Sequence, residues 1–466
     1  MRSRSRRVRT PSRCRWADVH ETRELSAFVA RTRFSDLPRP LVDNLRLTVL
    51  DTLAAAFVGG VQPWAQRILE VVRALGGPPD ATVIHQEWRT DVSRAALANG
   101  VLIGAFECEP LTGSHASGTV LPAALAVCQR EGLDGAAFLT ALAVGFELSA
   151  RLARAAVGLE TERGFHNPGA QGPFGAAAAV GKLYGLDEPR IASALGIAGS
   201  SSAGLLEFAW SGGDTKRLHL GRASQLGLEA ALLARHGVNG PATVLEGRSG
   251  YFTAFSTVRQ PEKLLDGLGT TWAIEPPSLK SYATHVTHQA VVAAIQAFKR
   301  AHPLEPKEIT RVVIRGAPRI MEERHTERAP RDVLGGQYSL PFTTAVALTR
   351  DLANPLVYDE DAIRDPLVRD LARRIELEPV EEAAHETPGF WPAEIVVEVD
   401  GRRHSLHAEP HKGSPRNPFT WPEACEKFRR YTASILDAER ATTLIDMVAR
   451  LENVGDMADV AQAVAR

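Results

Sequence analysis

The sequence predicts a mainly α protein, in which a large, discontinuous all-helical domain carries a smaller α+β lid domain near its C-terminal end. Three observations lead there. From about Trp16 to Gly269 apolar residues recur at helical spacing. Near Thr271 the pattern changes to short apolar runs rich in β-branched residues, and from Trp421 onward helical periodicity returns. The implied division is 1–16 as a disordered Arg-rich extension, 17–270 with 412–466 as the helical domain, and 271–411 as the lid.

Leu25, Phe28, Val29 and Phe34 outline a first amphipathic helix. Leu41, Leu45, Leu47, Val49, Leu50 and Leu53 outline a second, which Gly59-Gly60 stops. Further helices are expected at 63–75, 93–106, 121–131, 136–156, 172–184, 188–199 and 217–236. Many are rich in Ala and Gly, as in Gly172-Pro173-Phe174-Gly175 and the alanines after it. Small residues let helix axes approach closely, so the bundle interior should be tight. Strands are expected at 311–315, 393–399 and 402–407, the last two joined through an Asp400-Gly401 hairpin turn. Helices at 289–300 and 340–350 alternate with them and make this segment α+β.

Composition excludes several functions. A chain 44% hydrophobic and 23% charged is ordinary globular material, and a formal net charge of -1 draws it to neither nucleic acid nor an anionic membrane. Cys14, Cys108, Cys128 and Cys425 form no CxxC pair, which removes a zinc ribbon or an all-cysteine iron–sulfur cluster and fits a reducing compartment. No uncharged apolar run reaches the roughly 18 residues of a membrane span. The first fifteen residues hold seven arginines and no acid. With little apolar content they read as an extension or an upstream start rather than a transit peptide. A cytoplasmic protein is expected, or a mitochondrial-matrix one if that start is a transit peptide.

Several stretches, in order, resemble one known family. They include Leu50-Asp51-Thr52-Leu53-Ala54, Asn99-Gly100, His115-Ala116-Ser117-Gly118, Gly164-Phe165-His166 and Phe174-Gly175-Ala176-Ala177. The most specific is Thr215-Lys216-Arg217-Leu218-His219-Leu220-Gly221-Arg222-Ala223. Lys280-Ser281-Tyr282, Tyr338-Ser339-Leu340-Pro341-Phe342 and Lys412-Gly413-Ser414-Pro415-Arg416-Asn417-Pro418 follow. The chain from about Ala27 thereby resembles the MmgE/PrpD family of 2-methylcitrate dehydratase, cis-aconitate decarboxylase and iminodisuccinate epimerase. The resemblance implies a helical domain with an α+β lid, a homodimer, a small carboxylated substrate, and neither organic cofactor nor metal.

Proton transfer at carbon next to a carboxylate needs cations for the carboxylates and a titratable group over the reacting carbon. Histidine suits the second role because its ordinary pKa is near neutrality. Carried over by resemblance, Lys216 contacts a substrate carboxylate, where a lone lysine would otherwise read as solvated; Arg217 is a secondary contact, and His219 a helix packing residue or a weaker candidate. His166 lies just before a helix start, a place that favours an anion; the plainer reading is a loop histidine bonded to backbone. His115 sits in a Gly/Ser/Thr-rich loop where the family has a site histidine.

The text before His115 departs from the family's N-G-x-x-x-H-x-x-D-x-D-D-T. The same frame gives Gly104, Glu107, Glu109, Pro110 and Leu111, with Thr112 in the threonine's role after a one-residue slip. Glu107 then reads either as a lysine-pairing, proton-handling acid or as a charged residue ending a helix. Lys280 followed five positions later by His285 resembles the decarboxylase branch. His288 falls one residue early, and anchoring on it would put Thr284 at the key position; His285 is preferred. Phe342 stands where that branch has a tyrosine and cannot donate a hydrogen bond; Tyr338, one turn earlier, is expected to pack in the core. His115, His166, His285 and His288 show no HExxH-like spacing, so no metal is expected, and neither G-x-G-x-x-G nor a P-loop lysine is present.

The leading expectation is a cofactor-free lyase. Lys216 and Lys280 hold carboxylates while His285, with His115 or His166, moves the proton, whether in decarboxylation of a cis-aconitate-like acid or dehydration of a 2-methylcitrate-like one. An epimerase of the same family is the alternative. A scaffold without activity is the third reading, prompted by the missing D-x-D-D-T.

Overall fold

Several helices begin where the sequence supplies a cap. Asp91 accepts the amide hydrogens of Ser93 and Arg94 at 3.0 Å each and opens the helix Val92–Ile103. Asp134 opens Gly135–Ala155 and Asp187 opens Glu188–Ser200 in the same way. The computed structural model describes residues 20–160, 162–381 and 390–466, so the Arg-rich extension falls outside the described residues. Among the described residues helix dominates, with one four-stranded sheet and two short two-stranded ones.

Asn167–Leu183 is the central helix. Gly135–Ala155, Ala116–Glu131 and Thr215–Arg235 pack around it, and Val92–Ile103 packs on the last two. The small residues do what the sequence implied. A Cβ on Gly100 would stand 2.6 Å from the Cα of Gly221, and one on Gly221 would stand 2.2 Å from the carbonyl oxygen of Leu97. Both obstacles are backbone, which cannot swing aside. Gly221→Ala is therefore expected to lower stability by about 1–3 kcal/mol through overpacking. Chemical denaturation measures it, and an unchanged midpoint would refute the close-approach argument.

Gly135–Ala155, at 21 residues, is long and apolar enough to cross a membrane by composition, but 83% of its most apolar window is buried among the other helices. Two of its three charges, Glu147 and Arg151, are buried. Arg151 Nε donates to Glu147 at 2.6 Å, and Nη1 to the carbonyls of Leu264 and Asp266 at 2.9 and 2.8 Å.

The C-terminal helices pack back onto the N-terminal ones. Trp421–Thr432 lies on Arg39–Gly60, with Phe428 edge-on to Phe57 at 6.4 Å. Between these helices the buried Lys427 ammonium meets the Asp51 carboxylate and also donates to the Lys280 carbonyl. That lysine ties the helix pair to the segment that will carry the site.

The sheet has the order Ile375–Pro379, Ile309–Gly316, Ala393–Val399, Arg402–Ala408. The first pair is parallel and the others antiparallel. Asp400 and Gly401 both have positive φ, 50° and 68°, the conformation a two-residue type I′ hairpin requires. Strand Ile375–Pro379 was not anticipated. Its run offers two apolar residues and ends in proline, which is tolerated because the strand is an edge. Gln289–Ala301 covers Arg402–Ala408, and Leu340–Thr349 packs on that helix.

Candidate active site

The chain turns left-handed where the helical region meets the segment after residue 271. Glu107, Ser114 and His115 all have φ near +60°, at 57°, 61° and 62°. Such a cluster in non-glycine residues is uncommon, and each must be held by its surroundings. Gly113 also has positive φ, and a Cβ there would meet the Phe146 carbonyl at 2.7 Å. Leu111 N–H donates to the Ser278 carbonyl at 2.8 Å, and Lys280 Nζ to that of Glu107 at 3.0 Å. The loop is pinned from across the boundary.

A cavity of about 220 Å³ opens over this loop. Glu107, His115 and His166 line it from one side, Lys280 and His285 from another. Five of the residues singled out in the sequence thus share one space. Lys216 lies directly behind: it is buried, and its ammonium is against the other oxygen of the Glu107 carboxylate. Glu107 bridges Lys216 and Lys280, the latter at 3.0 Å, while Glu109 lies 3.7 Å from Lys280. The remodelled loop therefore keeps its acids at the lysines.

Burial, then the charges of Lys280 and Arg217, pull Lys216 well below the ordinary lysine range, while the adjoining Glu107 carboxylate acts the other way. Burial also lowers Lys280, against the opposing pull of Glu109. Burial would raise Glu109, but Lys280 and the His115 hydrogen bond outweigh it and hold it below the usual carboxylate range.

Glu109 accepts from His115 Nδ1 at 2.7 Å, which leaves the far nitrogen of that ring as a base. His285 Nδ1 takes the Thr287 hydroxyl at 2.9 Å and its amide at 3.4 Å, so the neutral ring carries its proton on Nε2. Burial first, then His325, His288 and Arg324, keep His285 well below its ordinary pKa. His166 is lowered by burial and then by His115 and His219, and its Nδ1 is 3.0 Å from Nδ1 of His219. His219 is thus a partner of His166 more than a packing residue.

The other expected residues lie off the cavity. Thr112 is buried behind Leu111, which does line it. Arg217 stacks on Trp64 at 4.0 Å and donates to the Ala105 carbonyl and to Asp214. Thr284 is buried against the Gln289 amide, so His285 is the residue of that pair that faces the space. Phe342 is in the core. Tyr338 packs as expected in a small buried cluster with Leu206, Phe208 and Leu334, and it also lines the cavity, 4.8 Å from His285 between ring centres.

Sequence reasoning missed Arg319 and Arg324, which line the cavity from the segment around the sheet, and Gln289 and Gln337, which bind the backbone of residues 281–284. It also missed His325. Among the described residues His285, His288 and His325 bring ring nitrogens within 4.8 Å of one another, the donor count of a metal site. That spread exceeds the roughly 3.3 Å between two imidazole nitrogens on a tetrahedral zinc ion.

Models of the MmgE/PrpD N-terminal domain and the MmgE/PrpD C-terminal domain match residues 23–264 and 282–453. Among curated relatives, the chain is 26% identical to cis-aconitate decarboxylase of Aspergillus terreus, covering 94% of each chain. It is 28% identical to the cis-aconitate decarboxylase-like protein oryM of Aspergillus oryzae, over 94% of this chain and 96% of the other. Human cis-aconitate decarboxylase is 28% identical over 89% of this chain and 88% of its own.

Proposed function

Since this chain belongs to the MmgE/PrpD family, we propose that it is a cofactor-independent lyase that removes carbon dioxide, or water, from a small polycarboxylic acid. The observation that carries the reading is the convergence of His115, His166, His285, Glu107 and Lys280 on one small cavity. In the same reading residues 271–411 close as a lid over a helical domain of 17–270 and 412–466, and two copies pair.

The chemistry follows from the protonation states. His285 is neutral before substrate binds, because burial penalises its cation. An anionic substrate changes that balance, and His285 takes up a proton with it. In decarboxylation the bond to one carboxylate breaks and carbon dioxide leaves. The electron pair passes into the carbon framework, and the proton of His285 fills the vacated valence. In dehydration His115, polarised by Glu109, removes the proton next to a carboxylate, and the hydroxyl leaves as water with a proton from His285 or His166. Lys280 stabilises the charge that develops, and Lys216 holds the Glu107 carboxylate that positions it.

The decarboxylase names of the relatives and the Lys280–His285 spacing favour loss of carbon dioxide. Histidines on two walls also fit epimerisation as the second reading. Proton NMR of di- and tricarboxylic acids incubated with the protein in deuterated water separates the reactions. Carbon dioxide loss with deuterium at one carbon is expected, falling about 10²–10⁴-fold in His285→Ala. Exchange without loss would select the epimerase, and silence with every acid would reject the lyase.

A further inference from the structure

The lysines that sequence reasoning assigned to substrate carboxylates are already matched by acids. Lys216 and Lys280 face Glu107 and Glu109, two cations against two anions, all four buried. That end has net charge for one carboxylate only, brought by the proton that His285 takes up with it. The opposite wall differs. Arg319 and Arg324 both pair with the single carboxylate of Glu322, which leaves one positive charge over. Glu160 on the facing rim already accepts the Asn167 amide hydrogen at 3.3 Å, at the start of the helix Asn167–Leu183, whose N-terminal field offsets its charge.

Arg324 is the better placed of the two. Its side chain is only 6% exposed. Only Nε is engaged, with Glu322 at 3.0 Å; among the described residues Nη1 and Nη2 have no hydrogen-bond partner. Both nitrogens open onto the cavity and not onto a protein acceptor, so the fork is free to take an anion from it. The guanidinium lines the site cavity where it meets two adjoining clefts of about 620 and 470 Å³. Its turn is fixed: His325 N–H donates to the Glu322 carbonyl at 2.7 Å, and His325 Nδ1 bonds the Tyr338 carbonyl at 2.8 Å.

We propose that Arg324, aligned by Glu322 and supported by Arg319, is the subsite for a second carboxylate, so that the ligand is at least a dicarboxylate held between this fork and the Lys280–His285 end. A fork of parallel donors suits a carboxylate bidentately, which a lysine cannot copy. The inference rests on the polycarboxylate reading above, and it makes the segment around the sheet the part that selects substrate.

The test is calorimetric binding of unreactive probes to the full chain: glutarate, its half-amide glutaramate, and propane-1,2,3-tricarboxylate. Arg324→Gln is expected to weaken glutarate and the tricarboxylate by about 10- to 100-fold. It should bind glutarate and glutaramate alike, whereas the unaltered protein prefers glutarate. Arg324→Lys, which keeps the charge and loses the fork, should fall between; it carries the test alone if the glutamine variant does not fold. His411→Gln, away from the cavity, should leave the preference for glutarate unchanged. Equal discrimination between glutarate and glutaramate in both Arg324 variants and the unaltered protein would overturn the subsite but leave the lyase reading standing. No binding of any probe by the unaltered protein, joined with no turnover, would overturn both.

Discussion

Glu107→Gln is expected to remove about 3–5 kcal/mol of stability and to reduce turnover by about 10³-fold or more, although it changes one atom and keeps the shape of the side chain. Glu107 is 2% exposed and stands between two buried lysines. Without its charge the Lys216 ammonium loses the carboxylate against it, and Lys280 keeps the Glu107 carbonyl and one carboxylate, Glu109, at 3.7 Å. A buried charge left alone must be carried at a penalty of several kcal/mol or neutralised by losing its proton. Either outcome alters the site, because the lysine can no longer stabilise developing negative charge. The stability and activity losses are separable. Adding Lys216→Met removes the stranded cation and should restore most of the stability, while turnover stays absent. Urea denaturation of the single and double variants, beside turnover, measures both. A single variant as stable as the unaltered protein would show that Glu107 does not hold these lysines.

The residues that sequence pattern exposed and those it hid differ in a physical way. Lys216, His166 and His115 were found because they sit in ordered motifs, and periodicity alone placed their helices, which have no side-chain N-cap. Asn167–Leu183 starts five residues earlier than the periodicity from Gly172 indicated, because Pro168 and Gly169 look like a loop although proline is at home in a first helical turn. Lys427 carried a legible signal that went unused. It sits on the buried stripe with Ala424, Cys425, Phe428 and Tyr431, where a lysine requires a partner. That partner, Asp51, is 376 residues away in the chain, and no local pattern could name it. Arg324 lies in a run of charges from Glu322 to Arg331 that reads as solvated surface. Only the fold shows that one arginine of that run turns inward. Tyr338 and Phe342 sit on two successive helices broken at Ser339, and both are buried as their apolar rings require, but only Tyr338 also reaches the cavity, which its place in a motif did not show.

Acid should destabilise the protein strongly between pH 6.5 and 4, chiefly through its buried histidines. His325 and His411 are buried and held at about 4, burial being the main cause. His166, His285 and His288 are pushed the same way, again mainly by burial. In the unfolded chain each returns to about 6.5. Below that value the unfolded state binds protons that the folded state refuses, so stability is fully present above about pH 6.5 and drains away as pH falls toward the folded values. By pH 5, His325 and His411 each account for about 2 kcal/mol relative to pH 7. The three lowered further add to the loss, and crowding of His285, His288 and His325 means that they cannot all take protons in place. Glu109, lowered in the fold, acts in a separate window, its contribution disappearing only below about pH 4.5. Unfolding free energies measured from pH 7 to 5 should therefore fall by at least about 4 kcal/mol. His411→Gln, away from the cavity, should take about 2 kcal/mol out of that fall. A flat profile over this range would mean that these histidines titrate normally in the folded protein, and the neutral His285 required for proton uptake with substrate would fall with them.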